Sequence, residues 1–526
     1  MQGYDYIVIG GGSAGCVVTQ RLVEAGKGVL LLEAGPADNH PFVHIPGTFV
    51  RLFGTRRTYM YKSEAEPGLK GRPMYVPQGR TLGGGSSVNA MIYIRGQAQD
   101  YDNWADMGAE GWSYAEMLPV FRRCEANQRL AGPYHGTEGR LHVSDTRYRH
   151  PLSYAFLRAA QEAGVPYTHD FNGADQAGAG FFQTTTREGK RGSTAATYLA
   201  SVRGRQNLTI RTEAAIEAIL LENGAAAGVR YRTADGALQE ASAREEVILC
   251  AGGIGSPKVL QLSGIGPAAH LAALGIAVRH DLPGVGENYQ DHISAPVYGG
   301  LEAPMSLFGQ DKGLRSIRNG LEYLLTRRGL LSSNIVECGA FVDTGGAGRP
   351  DVQIHFTPTL VGDVGRAPPA GHGVTINPCI LRPTSRGTVR LRSAEPRDPV
   401  VLNANALATR ADVDTLIRGV RLSRRILRAP SLAKLPMREI LPSSEENVSD
   451  ELLESHVRTV AKTVFHPVGT CRMGHDALAV VDPRLRVHGV PRLRIADASV
   501  MPQLISGNTN AAAVAIGERC ADFLLS

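Results

Sequence analysis

Two residues near the carboxyl end have the side chains needed to move a proton. His466 stands in Val464-Phe465-His466-Pro467-Val468, with apolar neighbours on both sides and a proline fixing the backbone. That setting predicts a rigid, largely dry imidazole, and imidazole titrates near neutral pH and can accept a hydroxyl proton. Asn508, in Ser506-Gly507-Asn508-Thr509-Asn510-Ala511, carries a neutral amide that can donate to a developing oxyanion. By residue type alone, a satisfied core histidine and a helix-capping asparagine are the simpler readings. The elements that would position the two residues therefore decide the matter.

The first forty residues predict a nucleotide site. Tyr4-Asp5-Tyr6-Ile7-Val8-Ile9 is short and apolar, as a buried parallel strand requires, and Gly10-Gly11-Gly12-Ser13-Ala14-Gly15 comes next in GxGxxG spacing. A helix is expected from Cys16 to Ala25, and a second strand, Gly28 to Leu32, ends at Glu33. Gly10 allows the tight turn, Gly12 lets the backbone approach a pyrophosphate, and Gly15 lets helix and strand pack closely. The helix N-terminus offers its free N–H groups to the phosphates, and Glu33 can accept hydrogen bonds from ribose hydroxyls. NAD and FAD are equally compatible with this much.

Two more glycine-dense segments narrow the choice. One is Gly79-Arg80-Thr81-Leu82-Gly83-Gly84-Gly85-Ser86-Ser87-Val88-Asn89-Ala90-Met91, whose backbone could lie against a phosphate or a flat ring. The other is Glu246-Val247-Ile248-Leu249-Cys250-Ala251-Gly252-Gly253-Ile254-Gly255-Ser256-Pro257, which reads as a buried strand, a turn and a short helix. Together they resemble the glucose-methanol-choline (GMC) oxidoreductase family, in its choline dehydrogenase-like, FAD-dependent alcohol-oxidising form. The likeness extends through Asp281-Leu282-Pro283-Gly284-Val285-Gly286 and the C-terminal third. Gly253 departs from the small side chain usual at that place.

The resemblance implies FAD in an extended pose. Gly12 and Ser13 would meet the pyrophosphate, Glu33 the adenosine ribose and the backbone of Ile216 the adenine. Arg80, Gly83, Gly84, Asn89, Ala90 and Met91 would lie along the pyrophosphate and flavin. Asp497 and Ala498 would reach the ribityl region, and Thr509 and Asn510, at the start of a closing helix expected from Ala511 to Leu525, the flavin pyrimidine edge. Where some relatives tether FAD through a histidine this chain has Val88, so non-covalent FAD is expected.

By the same resemblance His466 and Asn508 become the catalytic pair. Oxidising an alcohol by hydride transfer needs a base for the hydroxyl proton and a donor for the oxygen, with hydride passing to flavin N5 to give an aldehyde. The alternative within the fold is a lyase that cleaves cyanohydrins without net redox. Glu337 and His355 match places where choline-oxidising relatives keep pocket residues, but no aromatic faces flank Glu337 in sequence, and an acid capping backbone amides is as good a reading. A small-molecule alcohol, and O2 or a quinone-like electron acceptor, are the expected partners. The only other glycine cluster of note, Gly345-Gly346-Ala347-Gly348, precedes Arg349-Pro350 without a helix pattern, so no nicotinamide site is expected.

The fold class these elements imply is α/β: a discontinuous, Rossmann-like FAD domain (residues 1–150, 200–293 and 460–526) interleaved with an α+β substrate domain (151–199 and 294–459), an antiparallel sheet flanked by helices. With 526 residues, 43% hydrophobic and 20% charged, the chain can bury large cores. The net charge of +6 is scattered rather than clustered, which speaks against nucleic acid. The seven cysteines form no CxxC, so neither a disulfide framework nor a metal site is expected. No apolar run reaches membrane-spanning length, and the early first strand leaves no room for a signal peptide, so a cytoplasmic protein is expected.

Overall fold

The computed structural model describes residues 2–364 and 366–526. Strand Gln2–Ile9 pairs in parallel with Val29–Leu32 on one side and with Leu238–Leu249 on the other. Leu208–Arg211 extends the parallel set beyond Val29–Leu32, and Leu493–Ile495 pairs with Leu238–Leu249. Val29–Leu32 is buried at every position, as a strand covered on both faces must be. The sheet of the Rossmann-like unit is mixed. Ala215–Glu222 and Ala225–Arg232 add an antiparallel hairpin at its edge. Their two-residue connection, Asn223-Gly224, has φ of +51° and +81°, the left-handed pair that matches strand twist.

Helix Ser13–Glu24 packs on this sheet, and the final helix, Asn510–Leu525, packs on Ser13–Glu24. The approach is close: a Cβ on Gly517 would lie 2.8 Å from the Ala14 carbonyl oxygen. At Gly15 the corresponding distance, to the Gly10 oxygen, is 2.0 Å. Gly15→Ala is therefore expected to lower stability by about 1–3 kcal/mol. It should appear as a lower urea midpoint at constant m. An unchanged midpoint would mean that the helix and turn are not packed as described.

The second sheet is antiparallel throughout. Its order is Met437–Leu441, Val297–Leu301, Gly373–Ile380, Val352–Thr357, Cys338–Val342 and Gly178–Phe181. Helix Arg410–Leu427 covers it with Val413, Leu416, Ile417 and Val420, all buried. Two short strands tie this sheet to the C-terminal segment. Ile293–Ser294 pairs antiparallel with Lys462–Thr463, and the first of them also pairs with Gly373–Ile380. The pair Ile293↔Thr463 closes one end of that ladder, and His292 and His466 lie just beyond it, where the Val464 N–H donates to the His292 oxygen at 3.0 Å.

Candidate active site

A cavity of about 1710 Å³ extends from the GxGxxG turn to the antiparallel sheet. Its far end is formed by the glycine-rich turns. Gly10 has φ of +98° and a Cβ there would sit 2.5 Å from the Cys250 oxygen, whereas the nearest atom to a Cβ on Gly12 is 3.8 Å away. Gly12 is thus bare toward the cavity. Gly84 (φ +50°) abuts Gly12, with 2.7 Å between its would-be Cβ and the Gly12 Cα. Gly83 donates its N–H to the Gly11 oxygen at 2.6 Å, so it joins the two glycine loops from outside the cavity. Gly15 likewise does not line it.

Two helix N-termini open on this end. Ser13–Glu24 and Asn510–Leu525 begin at Gly12 and Thr509, neither of which caps its helix with a side chain. Their first N–H groups have no intrahelical partners, and both dipoles favour an anion. Asn510 Nδ2 donates to Ser13 Oγ at 2.8 Å and links them. Asn510 Oδ1 and Arg80 Nε are buried without a hydrogen-bond partner among the described residues, and both side chains line the cavity.

Glu33 is buried at the edge of the same space. Its carboxylate accepts N–H donors from Gly11 (2.9 Å) and Gly35 (2.8 Å), while burial pushes its carboxyl up to about 7 against their influence. Ile216 and Ala498 line the cavity as well. A bare glycine cradle, two helix N-termini, unpartnered polar atoms and an acid beside them fit an elongated dinucleotide with a diphosphate at its centre. Glu33→Arg is expected to weaken FAD binding to the apoprotein at least about tenfold, since it removes hydrogen bonds to a charged group. Flavin fluorescence titration would read this, and an unchanged affinity would place the ribose elsewhere.

Two of the expected cofactor residues turn their side chains into the protein. Asn89 Oδ1 accepts from the Met91 N–H (3.0 Å) and from Arg191 Nη1 (2.8 Å), bracing Met91 at φ +59°. The Asp497 carboxylate accepts from the N–H groups of Gly252 and Ser499, both 2.8 Å, and from Ser256 Oγ at 2.6 Å. It fixes the start of helix Gly252–Leu262. Asn89, Ala90, Met91 and Asp497 nonetheless all line the cavity.

At the near end, His466 and Asn508 meet across the chain. Asn508 Nδ2 lies 3.4 Å from His466 Nε2, and Gln353 Nε2 donates to Asn508 Oδ1 at 3.1 Å. That bond from a fully buried glutamine orients the amide, with its N–H side toward the imidazole. On the other side of the ring, His466 Nδ1 is 2.9 Å from His292 Nδ1, and His292 Nε2 is 3.0 Å from the Leu381 carbonyl oxygen. A carbonyl can only accept, so His292 carries its proton on Nε2 and leaves Nδ1 bare. His466 must then carry its proton on Nδ1 and present a bare Nε2 to Asn508 and the cavity.

The backbone of His466 is held as firmly. Asp291 Oδ1 accepts its N–H at 2.8 Å, and Oδ2 accepts hydroxyls from Thr463 (2.5 Å) and Tyr289 (3.1 Å). Burial lifts the Asp291 carboxyl to about 6. Phe465 is in the left-handed region at φ +73°, with its N–H on Thr463 Oγ1 at 2.7 Å. Such a conformation in a non-glycine residue costs about 1–3 kcal/mol and persists only where its surroundings impose it. Burial first, then His292 and His355, hold the His466 imidazolium well below the ordinary histidine range, and burial brings His292 to about 4.

Asp291, His292 and Gln353 were not legible as site residues. The run Tyr289-Gln290-Asp291-His292 before an apolar strand was the available signal, but nothing in it points to position 466. His355 lines the cavity, and burial takes its imidazole down to about 4. Glu337 is turned away: its oxygens accept from the His150 N–H (2.6 Å), Ser153 Oγ (2.8 Å) and Ser333 Oγ (2.7 Å). Of the two readings of Glu337, the geometry favours the acid that caps protein donors.

Comparison with known proteins agrees with this arrangement. Family models described as GMC oxidoreductase match residues 4–294 and 383–517. The chain is 42% identical to an alcohol dehydrogenase [acceptor] of Pseudomonas putida, over 99% of this chain and 96% of that one. It is also 42% identical to the mitochondrial choline dehydrogenase of Mus musculus, over 99% of this chain and 89% of the relative. Among solved structures, pyridoxine 4-oxidase from Mesorbium loti superposes with a TM-score of 0.89 at 31% identity, covering 99% of this chain and 98% of its own. The chain belongs to the GMC oxidoreductase family.

Proposed function

We propose that this enzyme oxidises the CH–OH group of a neutral primary alcohol of moderate size to the aldehyde, with FAD held non-covalently. GMC oxidoreductases are FAD-dependent, and FAD, when bound, supplies the hydride acceptor. The residues do the rest. His466 takes the hydroxyl proton on its bare Nε2, and the Asn508 amide donates to the same oxygen. Nδ1–H on His292 keeps the accepting nitrogen free, and the buried setting keeps the imidazole neutral until the proton arrives. The convergence of His466 Nε2 and Asn508 Nδ2 at 3.4 Å on the cavity wall carries this reading.

Val88, which lines the cavity where a tether would form, offers no nucleophile, and this supports non-covalent cofactor. Engagement of Glu337 by His150, Ser153 and Ser333 removes the obvious counter-charge for a quaternary ammonium, and this favours a neutral substrate. The chain divides between a cofactor domain (1–150, 200–293 and 460–526) and a substrate domain (151–199 and 294–459); the two largest hydrophobic cores follow this division in the main, although Leu69, Met74, Val76, Ile254 and Tyr289 pack in the second and Ala195, Tyr198 and Leu199 in the first.

The test is an anaerobic panel of alcohols added to the holoenzyme. Bleaching of the visible flavin band by a primary alcohol is expected, and 3,3-dimethylbutanol, the uncharged isostere of choline, should outperform choline in kcat/KM. A flavin that stays oxidised with every alcohol while a cyanohydrin is cleaved would replace this reading with the lyase. Preference for choline would overturn the neutral substrate. Turnover with O2, compared with turnover with an artificial dye, identifies the acceptor class.

A further inference from the structure

Helix Gly313–Thr326 is built inside out for a surface helix. The side it turns to the protein carries Asn319 and Tyr323, both buried; Tyr323 donates to the Gly189 oxygen at 3.0 Å and Asn319 to the Gln310 oxygen at 3.0 Å. The side it turns to water carries Leu314, Ile317, Leu321, Leu324 and Leu325. Leu314 and Leu325 are 84% and 83% exposed, and the other three exceed half. At 100° per residue these five occupy a stripe roughly 100° wide. Met305 and Phe308, also exposed, stand just before the helix. Single exposed leucines need no explanation, but a contiguous stripe of this kind marks a surface that is covered in use.

The charges around the stripe indicate what covers it. Lys312, Arg315, Arg318 and Arg328 are exposed on and beside the helix, and Arg327 lies over the Tyr323 ring at 5.0 Å. Of the two acids between Met305 and Arg328, Asp311 is 3.5 Å from Arg51, and Glu322 folds back on Gly329. A second copy docked through this face would bring these cations against their own kind. An anionic lipid surface would neutralise them while taking up the leucines. We propose that the enzyme attaches peripherally to anionic lipid bilayers, with helix Gly313–Thr326 lying in the headgroup boundary. Among the described residues no helix is long and apolar enough to cross a membrane, so the helix lies on the bilayer and does not span it.

The location gives the attachment a use. The helix packs on the short turn Leu330–Ser332, which packs on Pro46–Leu52, where a Cβ on Gly47 would lie 3.1 Å from Leu331 Cα. Phe49, Val50 and Phe53, in and just after that segment, line the catalytic cavity, and Val50 is itself exposed. An attached enzyme would therefore hold one apolar wall of its cavity close to the lipid.

Sedimentation of flavin-loaded protein with phosphatidylcholine vesicles, with and without phosphatidylglycerol, tests the proposal independently of the substrate. Binding is expected to be at least tenfold stronger with the anionic lipid and to weaken with salt. The double variant Leu321→Glu/Leu325→Glu should lower it about a hundredfold or more while retaining flavin and oxidation of a water-soluble alcohol. In a second measurement, emission of Leu325→Trp should shift to the blue on vesicle addition and be quenched by brominated acyl chains. Wild-type protein that ignores anionic vesicles, a double variant that binds as well as wild type, or emission of Leu325→Trp that stays unquenched would overturn the proposal. So would a solution dimer that Leu321→Glu/Leu325→Glu splits, since the covering partner would then be a second copy.

Discussion

His466→Ala is expected to bind FAD as the wild type does and to turn over alcohol about 10²–10⁴ times more slowly, the usual scale for loss of a general base. The cofactor end of the cavity is built from Gly10, Gly12, Glu33 and the two helix N-termini, none of which touches His466, so flavin content should not change. The loss should fall on kcat as well as kcat/KM, because proton removal belongs to the transition state and not to substrate capture. Stopped-flow reduction of the flavin band under anaerobic conditions isolates that step. A variant with full activity would remove His466 from the mechanism and leave Asn508 without a partner.

The pH profile of the wild type tests the same residue without mutation. A base works when unprotonated, that is, above its own pKa. Burial first, and then the neighbouring His292 and His355, hold the His466 imidazolium well below the ordinary histidine range. The acid limb of kcat/KM should therefore lie below pH 6.5, the ordinary histidine value, and activity should persist as pH falls through that point. An acid limb at or above 6.5 would mean that His466 is solvated, or that a different group carries the limb.

How far the sequence foretold this site depends on the distance over which each interaction acts. The GxGxxG turn, its strand and helix, and Glu33 were legible because the constraint is local: a Cβ at Gly15 would enter the Gly10 carbonyl a few residues away. The hairpin that makes the first sheet mixed was equally local, since the turn Asn223-Gly224 joins its two strands, but it is not among the elements read from the sequence. His466 and Asn508 were found by their match to a family pattern, and no rule of spacing would have joined them. What set their chemistry was not legible. His292 lies 174 positions from His466, and its contact depends on the pairing of Ile293 with Thr463 in a sheet whose strands come from several parts of the chain. Gln353 shares a strand face with His355, yet its bond to Asn508 arises only when that strand is carried to the C-terminal loop. Asn89 and Asp497 mark the opposite limit. The family resemblance placed them at the cofactor, whereas their side chains satisfy protein donors and shape the wall indirectly.

The second large effect is expected at His292, which does not line the cavity. Its imidazole is fully buried, donates from Nε2 to the Leu381 oxygen and accepts at Nδ1 from His466. Burial keeps it neutral, near a pKa of about 4, so over the working range it does not compete for the substrate proton. Its part is to hold the proton of His466 on Nδ1 and so leave Nε2 bare. His292→Ala removes that acceptor, frees His466 to carry its proton on either nitrogen and opens a cavity behind the ring. Turnover should fall about a hundredfold, within the range for loss of a base's correct protonation state, with KM little changed. His292→Asn separates tautomer control from packing, because its Oδ1 can occupy the place of Nδ1 and accept the same N–H. It should recover most of the lost rate, and the wild-type acid limb should return with it. If His292→Ala and His292→Asn fail alike, the ring serves only to fill space; if neither loses rate, the proton on His466 is positioned by something other than His292.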